Sequence, residues 1–323
     1  MENKWLVGVD IGGTTSKMAF ITPKGDIVSK WQIPTDHRNH GGNIPEQLKY
    51  EIEKKCSELG AENTCLMGIG VGAPGSVNAV TGIVREATNL SWKSAYPLKK
   101  NLEATTGLPV AIDNDANCAA LGEMWKGSGQ GARNLVLVTL GTGIGSGIII
   151  NGHIVHGAGG AAGEIGHLAS NTKDGYLCKC GKHGCLETIA SATGIVRAAL
   201  AIANDHCDGG LSFFYKQNGT ITAKNVFEFA ERGDHQAKSV VDYALEHLGI
   251  ALANVANTLN PEKVVIGGGV SKAGQYLLTR LNHYYQQHLF PTVKETTEIK
   301  LASLGNDAGV LGAAWIADQL TPA

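Results

Sequence analysis

Apolar positions along this chain switch between a period of two and a period near 3.6, and the switches mark its elements. Trp5–Ile11 (WLVGVDI) is apolar and branched, as in a buried strand. Met18–Ile21 and Ile27–Ile33 come next as strands, with Pro23-Lys24-Gly25-Asp26 as turn material between them. Ile44, Leu48, Ile52, Cys56 and Leu59 recur at spacings of three and four, which predicts an amphipathic helix over 43–59. Leu66–Val71 reads as a buried strand that ends in GAPG. Val110–Ile112 reads as a strand, and a helix is expected over 116–126. Asn134–Leu140 opens another strand run. Ala237–Leu259 is a long helical pattern stopped by Asn260-Pro261, Lys263–Ile266 is a short strand running into GGG, and 306–320 reads as a last helix.

The second strand run repeats the first. VDIGGTTSKMAFI, from Val9, and VTLGTGIGSGIII, from Val138, each give a buried strand, a Gly/Thr turn and a second apolar strand. Each then meets a Gly turn, Lys24-Gly25-Asp26 or Asn151-Gly152-His153, and resumes with Ile-Val. This predicts a duplicated unit, one per domain; the bland alternative is that two β-hairpins look alike. The expected class is α/β with two domains. The smaller takes 1–116 plus 306–323, and the larger takes 117–305 with a special loop at 163–188. With no low-complexity linker between them, the domains are expected to share a deep cleft.

Glycine is the compositional outlier, 43 in 323 residues against an average near 7%. The glycines come after hydrophobic runs, which suggests tight turns and close backbone approach to a ligand. The net charge of −2 and the lack of a Lys/Arg run argue against nucleic acid as a partner. No stretch of about 18 apolar residues predicts a membrane span, and no signal peptide is visible, so a cytoplasmic protein is expected. In a reducing compartment, clustered cysteines favour metal over disulfide.

Three segments carry chemistry. Asp10–Thr15 (DIGGTT) and Gly141–Gly147 (GTGIGSG) lie after buried strands, and their backbone N–H groups and threonine hydroxyls suit an anion. The first offers Gly12, Gly13, Thr14 and Thr15, and the second Gly141, Thr142 and Gly143. Neither is a Walker A loop or a dinucleotide fingerprint, because the second runs into a strand instead of a helix. Asp113-Asn114-Asp115-Ala116-Asn117 lies between a strand and a helix, with Asp113 and Asp115 expected on one side and Asn114 on the other. Either carboxylate suits proton abstraction, but spacing alone favours helix capping. His167, Cys178, Cys180 and Cys185 offer four N/S ligands of the kind zinc takes, with His183 as the rival histidine. Cys56, Cys65, Cys118 and Cys207 share no spacing and read as small hydrophobes. Trp92 and Trp125 read as core or interface aromatics. Glu164 and Glu187, taken alone, read as surface residues.

Two phosphate loops opening duplicated hairpins resemble the actin, hexokinase and sugar-kinase (ribonuclease H-like) fold, in which ATP lies between two halves. That resemblance implies that Asp10 is the Mg²⁺-side carboxylate and that Gly268 and Gly269 line the nucleotide. Glu164-x-Gly166-His167 with CKCGKHGCLE after it resembles the signature of the ROK family of bacterial sugar kinases and repressors. DIGGTT, GAPG at 72–75, DNDAN and LGTGIGSG match that family in order, over essentially the whole chain. NLSW at 89–92 and ALGEMWKG at 120–127 further resemble Gram-positive ROK glucokinases. The resemblance implies an ATP-dependent kinase acting on glucose at O6, with Asp115 as general base. It places Gly75, Asn89, Asn114, Asp115, Glu164, His167 and Glu187 on the sugar, with His167 also binding a structural zinc. It further implies a homodimer. Kinases for fructose, N-acetylmannosamine or allose remain alternatives. A sugar-sensing repressor is the other class, but its DNA-binding segment has no room before Asp10.

Overall fold

The computed structural model describes residues 4–85, 87–92, 94–205 and 209–320, so Cys207 lies outside the described residues. The chain opens with β1 (Trp5–Ile11), β2 (Thr15–Ile21), β3 (Ile27–Pro34), α1 (Ile44–Glu58) and β4 (Leu66–Ala73). A small hairpin, β5 (Ser76–Asn78) and β6 (Ile83–Arg85), precedes α2 (Leu98–Thr106), β7 (Val110–Asn114) and α3 (Asp115–Lys126). Next come β8 (Leu135–Leu140), β9 (Ile144–Ile150), β10 (His153–Ile154), α4 (Glu187–Ala190), α5 (Ala192–Asp205), α6 (Gly210–Asn218) and α7 (Ala223–Glu231). The last elements are α8 (His235–Leu259), β11 (Lys263–Gly267), α9 (Gly274–Gln287), α10 (Pro291–Thr296), β12 (Glu298–Leu301) and α11 (Ala308–Asp318).

Two five-stranded sheets have the orders β3-β2-β1-β4-β7 and β10-β9-β8-β11-β12. In the first, β1 is antiparallel to β2 and parallel to β4, and β4 is parallel to β7. In the second, β9 is antiparallel to β10, while β11 is parallel to both β8 and β12. The repeat therefore extends past the hairpins to their parallel neighbours, which two unrelated hairpins would not share.

The described residues form two compact units, unit 1 from 1–131, 147–162 and 303–323 and unit 2 from 132–146 and 163–302. Helix α3 and segment 147–162 thus fall with unit 1, where the sequence expectation put them in the larger domain. In unit 1, the odd residues of β1 and β4 point into a core shared with α1 and α2, including Val7, Val9, Ile69, Val71, Ile44, Leu48, Leu98 and Leu102. Helix α1 turns Ile44, Leu48, Ile52 and Cys56 inward, as their four-residue spacing requires. In unit 2, α8 begins where the Asp234 side chain accepts from the Ala237 N–H, and it ends at Asn260 in the left-handed region with Pro261 beyond. Among the described residues no helix is long and apolar enough to cross a membrane.

The even positions of β1 and β4 explain why α3 joins unit 1. Gly8 and Gly70 are register partners on neighbouring strands. A Cβ at Gly8 would lie 2.1 Å from the Val310 carbonyl oxygen, and one at Gly70 would lie 1.6 Å from that of Ala313. The backbone of α11 therefore rests directly on the sheet. Gly122 and Gly312 do the same between α3 and α11, with added Cβ atoms 2.1 Å from the Ala308 oxygen and 1.6 Å from the Cys118 oxygen. Glu123 is fully buried in α3, and its carboxylate accepts from the backbone N–H groups of Ser128, Ser303 and Leu304. That carboxylate ties the approach to α11 onto α3.

Gly70→Ala is expected to destabilise the protein by about 3 kcal/mol, since overpacking against backbone has no side chain to displace. Gly159, with open space around a Cβ, is the control, and Gly159→Ala is expected to stay within about 0.5 kcal/mol of wild type. Urea unfolding of the two variants measures the difference.

Candidate functional site

Strand register gathers the unit 1 candidates. Asp10 pairs with Gly72, and Gly72 with Asp113, so the strand ends that carry DIGGTT, GAPG and DNDAN are level at one sheet edge. Carboxyl ends of parallel strands are where open α/β sheets bind ligands. The turn after β1 is tight: Gly12 N–H donates to the Thr15 carbonyl at 3.1 Å, and Thr15 already belongs to β2. Thr35 Oγ1 donates to the Gly12 carbonyl at 2.7 Å, and His37 Nε2 lies 2.7 Å from the Gly13 carbonyl. Thr14 stays exposed. Asn89 lies over this turn, since a Cβ on Gly13 would come 3.1 Å from the Asn89 Cβ. Asp10 pairs with Lys17 Nζ at 3.4 Å, yet burial outweighs that cation and holds its carboxyl above the usual range. Gly309 leaves the room Asp10 occupies, because a Cβ there would lie 2.9 Å from the carboxylate.

The two aspartates expected on one side are separated. β7 ends at Asn114 and Asp115 begins α3, so strand alternation does not reach Asp115. Asp113 is buried, with Oδ1 accepting from Asn114 N–H at 2.7 Å and Asn117 Nδ2 at 2.8 Å, and Oδ2 2.7 Å from His156 Nε2. Asp115 is exposed, and its Oδ1 accepts from the Ala116 N–H at 2.9 Å. Asn114 is the N-cap: Oδ1 accepts from Ala116 and Asn117 N–H groups, and Nδ2 donates to the Gly75 carbonyl at 3.0 Å. Gly75 needs its left-handed φ of 92°, and a Cβ there would meet the Arg85 carbonyl at 2.8 Å. The role of His156 escaped the sequence reading. Nothing in spacing links it to Asp113, 43 residues away.

Unit 2 holds the other candidates. In the turn after β8, Gly141 N–H donates to the Gly143 carbonyl, and Thr193 Oγ1 fixes the Thr142 carbonyl at 2.8 Å. Glu187, first residue of α4, spans two features. Its Oε2 accepts from Ile144 N–H at 3.4 Å, and its Oε1 accepts from Cys178 Sγ at 3.0 Å. A Cβ on Gly143 would lie 2.6 Å from Oε2, so a side chain there would push this carboxylate aside. Gly268, at φ 83°, stacks on the Leu140 backbone. Gly269 lines a cavity of about 740 Å³ with Ala192, Thr222, Phe227, Val270 and Tyr276. The sequence reading did not anticipate helices α7 and α9, whose side chains line this cavity with Gly269.

His167, Cys178, Cys180 and Cys185 bring one donor atom each within 4.8 Å of one another. A tetrahedral site with 2.3 Å metal–sulfur bonds has edges of about 3.8 Å, so the donor set fits a divalent metal such as zinc. Cys180 and Cys185 sulfurs are 3.5 Å apart, and Cys178 Sγ is 3.5 Å from His167 Nδ1. His183 turns instead to the Gly175 carbonyl. As a bare thiol, Cys178 is pushed up to about 12 by burial, a cost that a bound cation reverses. The six described cysteines are free; Cys56 and Cys118 are buried as expected, and Cys65 is half-buried. Trp92 is a core aromatic, stacked on Tyr96 at 4.3 Å.

Two sheets of matched topology, each with a Gly-rich turn after its first strand, define an α/β protein of the actin/hexokinase-like class. The chain belongs to the ROK family, which it matches over residues 6–320. It is 50% identical over 319 residues to a glucokinase of Halalkalibacterium halodurans, covering 99% of this chain and 96% of that one. Among solved structures it is similar to a ROK hexokinase from Thermus thermophilus, with TM-score 0.82 and 32% identity over 98% of both chains. It is also similar to a ROK family glucokinase from Streptomyces griseus in complex with glucose and AMPPNP. That match has TM-score 0.80 and 33% identity over 98% of this chain and 99% of the other.

The hydrogen bond that His156 gives to the Asp113 carboxylate raises the His156 pKa above its ordinary 6.5. A raised histidine contributes stability below its unfolded pKa and loses it as pH rises through the folded value. The melting temperature of wild type relative to His156→Gln is therefore expected to be larger near pH 6 than near pH 9. A difference that does not change over that range contradicts a charged pair.

Proposed function

We propose that this chain is an ATP-dependent hexose kinase, a glucokinase that transfers the γ-phosphoryl group of ATP to O6 of glucose. The observation that carries the reading is the exposed carboxylate of Asp115 on the first turn of α3, two residues past the strand position level with Asp10, in a chain half identical to a glucokinase. Asp115 accepts the O6 proton as O6 attacks the γ-phosphorus in line, and ADP leaves as the P–O bond to it breaks. Asn114 gives one amide N–H to Gly75 and keeps a second for a sugar hydroxyl. Gly75, Asn89, Glu164, His167 and Glu187 supply the other sugar contacts.

Backbone N–H groups of Gly12, Gly13, Gly141 and Gly143, with the hydroxyls of Thr14, Thr15 and Thr142, receive the phosphates. Gly268, Gly269 and the 740 Å³ cavity receive the nucleoside. Asp10 fits the Mg²⁺ side, since that ion takes one or two carboxylates plus substrate phosphates. When bound, it neutralises charge on the phosphoryl oxygens. The His167/Cys178/Cys180/Cys185 set would hold a structural zinc, which would order the loop carrying His167 and Glu187 without entering the phosphoryl step. A cytoplasmic homodimer completes the reading: a cytoplasmic setting supplies ATP and keeps thiols reduced, and C₂ pairing is the commonest assembly.

A coupled ADP-release assay over a hexose panel tests the substrate. Glucose is expected to give the highest kcat/KM, and a preference for fructose, allose or N-acetylmannosamine would reassign it within the family. Asp115→Asn is expected to lose about 10³-fold in kcat while its melting temperature stays within about 2 °C; near-normal kcat removes Asp115 as the base. Metal analysis is expected to find about one zinc per chain, and strong chelation to lower the melting temperature. Metal-free protein with unchanged melting and turnover contradicts the zinc.

A further inference from the structure

The buried carboxylate of Asp113 is held from three directions. Asn114 N–H and Asn117 Nδ2 reach Oδ1, while His156 Nε2 reaches Oδ2 at 2.7 Å. Two of these partners lie on the strand-to-helix junction that contains Asp115. The third, His156, comes from segment 147–162, and its ring is partly open to solvent. That segment is itself fixed within unit 1. Val155 N–H donates to the Ile148 carbonyl at 2.9 Å, and Ala162 N–H to the His156 carbonyl at 3.1 Å. Gly160 packs so closely on β5 that a Cβ would lie 2.7 Å from the Val77 carbonyl oxygen. The chain then runs directly into Gly163-Glu164-Ile165-Gly166-His167.

We infer that His156 is a positioning residue for the phosphoryl-transfer reaction: it locks Asp113, and Asp113 locks the backbone of Asn114 that aims Asp115. The inference rests on the reading of Asp115 as the base. A purely structural histidine would only relieve a buried carboxylate, and removing it would lower stability. A positioning histidine also sets the direction of the neighbouring carboxylate. Misplacement of a catalytic group by about 1 Å costs on the order of 10²-fold in rate. Asp113 is well suited to transmit such a shift, because its Oδ1 bonds the very N–H that precedes Asp115 in the chain.

The test compares His156→Leu, which removes the donor, with His156→Gln, whose amide N–H restores it to Asp113. His156→Leu is expected to lower kcat about 10- to 100-fold while KM for ATP stays within about twofold. His156→Gln is expected to recover kcat to within about threefold of wild type. Should His156→Leu not fold, His156→Asn replaces it, since that amide is too short to reach. Wild-type kcat in folded His156→Leu overturns the inference, as does a glutamine variant as slow as the leucine one. Asp115→Asn assayed in parallel separates the two readings. Loss of turnover in Asp115→Asn with normal His156→Leu sinks only the positioning role. Normal turnover in Asp115→Asn sinks the base itself.

Discussion

Unit 1 depends on backbone touching backbone where the C-terminal helix lies on the sheet. Gly8 and Gly70 form a level shelf on neighbouring strands, and Gly122 and Gly312 remove the last side chains between α3 and α11. Residues at the far end of the chain from β1 thereby fix both elements that matter. α11 presents Gly309 to Asp10, and α3 carries Asp115 on its first turn. Dispersion between closely packed backbones falls steeply with a gap of even half an ångström, so this seat has little tolerance. Glu123 reinforces it with two backbone hydrogen bonds, from Ser303 and Leu304, that hold the entry to α11.

The two sheets use one topology for different chemistry. In the first, the level strand ends carry Asp10, beside Lys17, and Asp113, buried and spent on hydrogen bonds, with the exposed Asp115 following on α3. In the second, the turn after β8 is glycine-rich, and a long excursion between β10 and α4 brings in the thiols. The duplicated part is the sheet, which sets where strand ends lie. The divergent part is the segment leaving each strand end, which sets the chemistry found there.

Strands and long helices were legible because their cores are strongly patterned. β1, β4, β8, β11, α1 and α8 fall within a few residues of their expected bounds. Of the missed elements, α7 and α9 do carry such a pattern, at Val226, Phe227 and Ala230 and at Leu277, Leu281 and Tyr285, and were overlooked; α2, α6 and β12 lack it. α2 buries only Leu98 and Leu102, α6 only Leu211 and Ser212, and β12 has no buried residue. The His/Cys donor cluster was legible from residue type alone, and the choice of His167 over His183 came from the family signature. What could not be read was orientation at Asp113 and Asp115. Alternation assumes one continuous strand, and the helix starts between them. Nor could the sequence show that Gly70 and Gly143 are spaces for other groups, the Ala313 carbonyl and the Glu187 carboxylate.

The cysteine cluster connects to the glycine turn after β8 through a short physical path. His167 turns Nδ1 toward Cys178, while its Nε2 edge lies 3.8 Å from Glu164. Cys178 also donates to Glu187, whose other oxygen reaches the N–H of Ile144 beside Gly143. A metal would take Cys178 as a thiolate, which has no proton to give, so Oε1 of Glu187 would be released from Cys178 while Oε2 keeps the Ile144 N–H. What the metal would tie together directly is the backbone at both ends of the loop, His167 at one end and Cys185, two residues before Glu187, at the other. Three cysteines and a histidine in this loop would thus hold the chain segments from which Glu164 and Glu187 project.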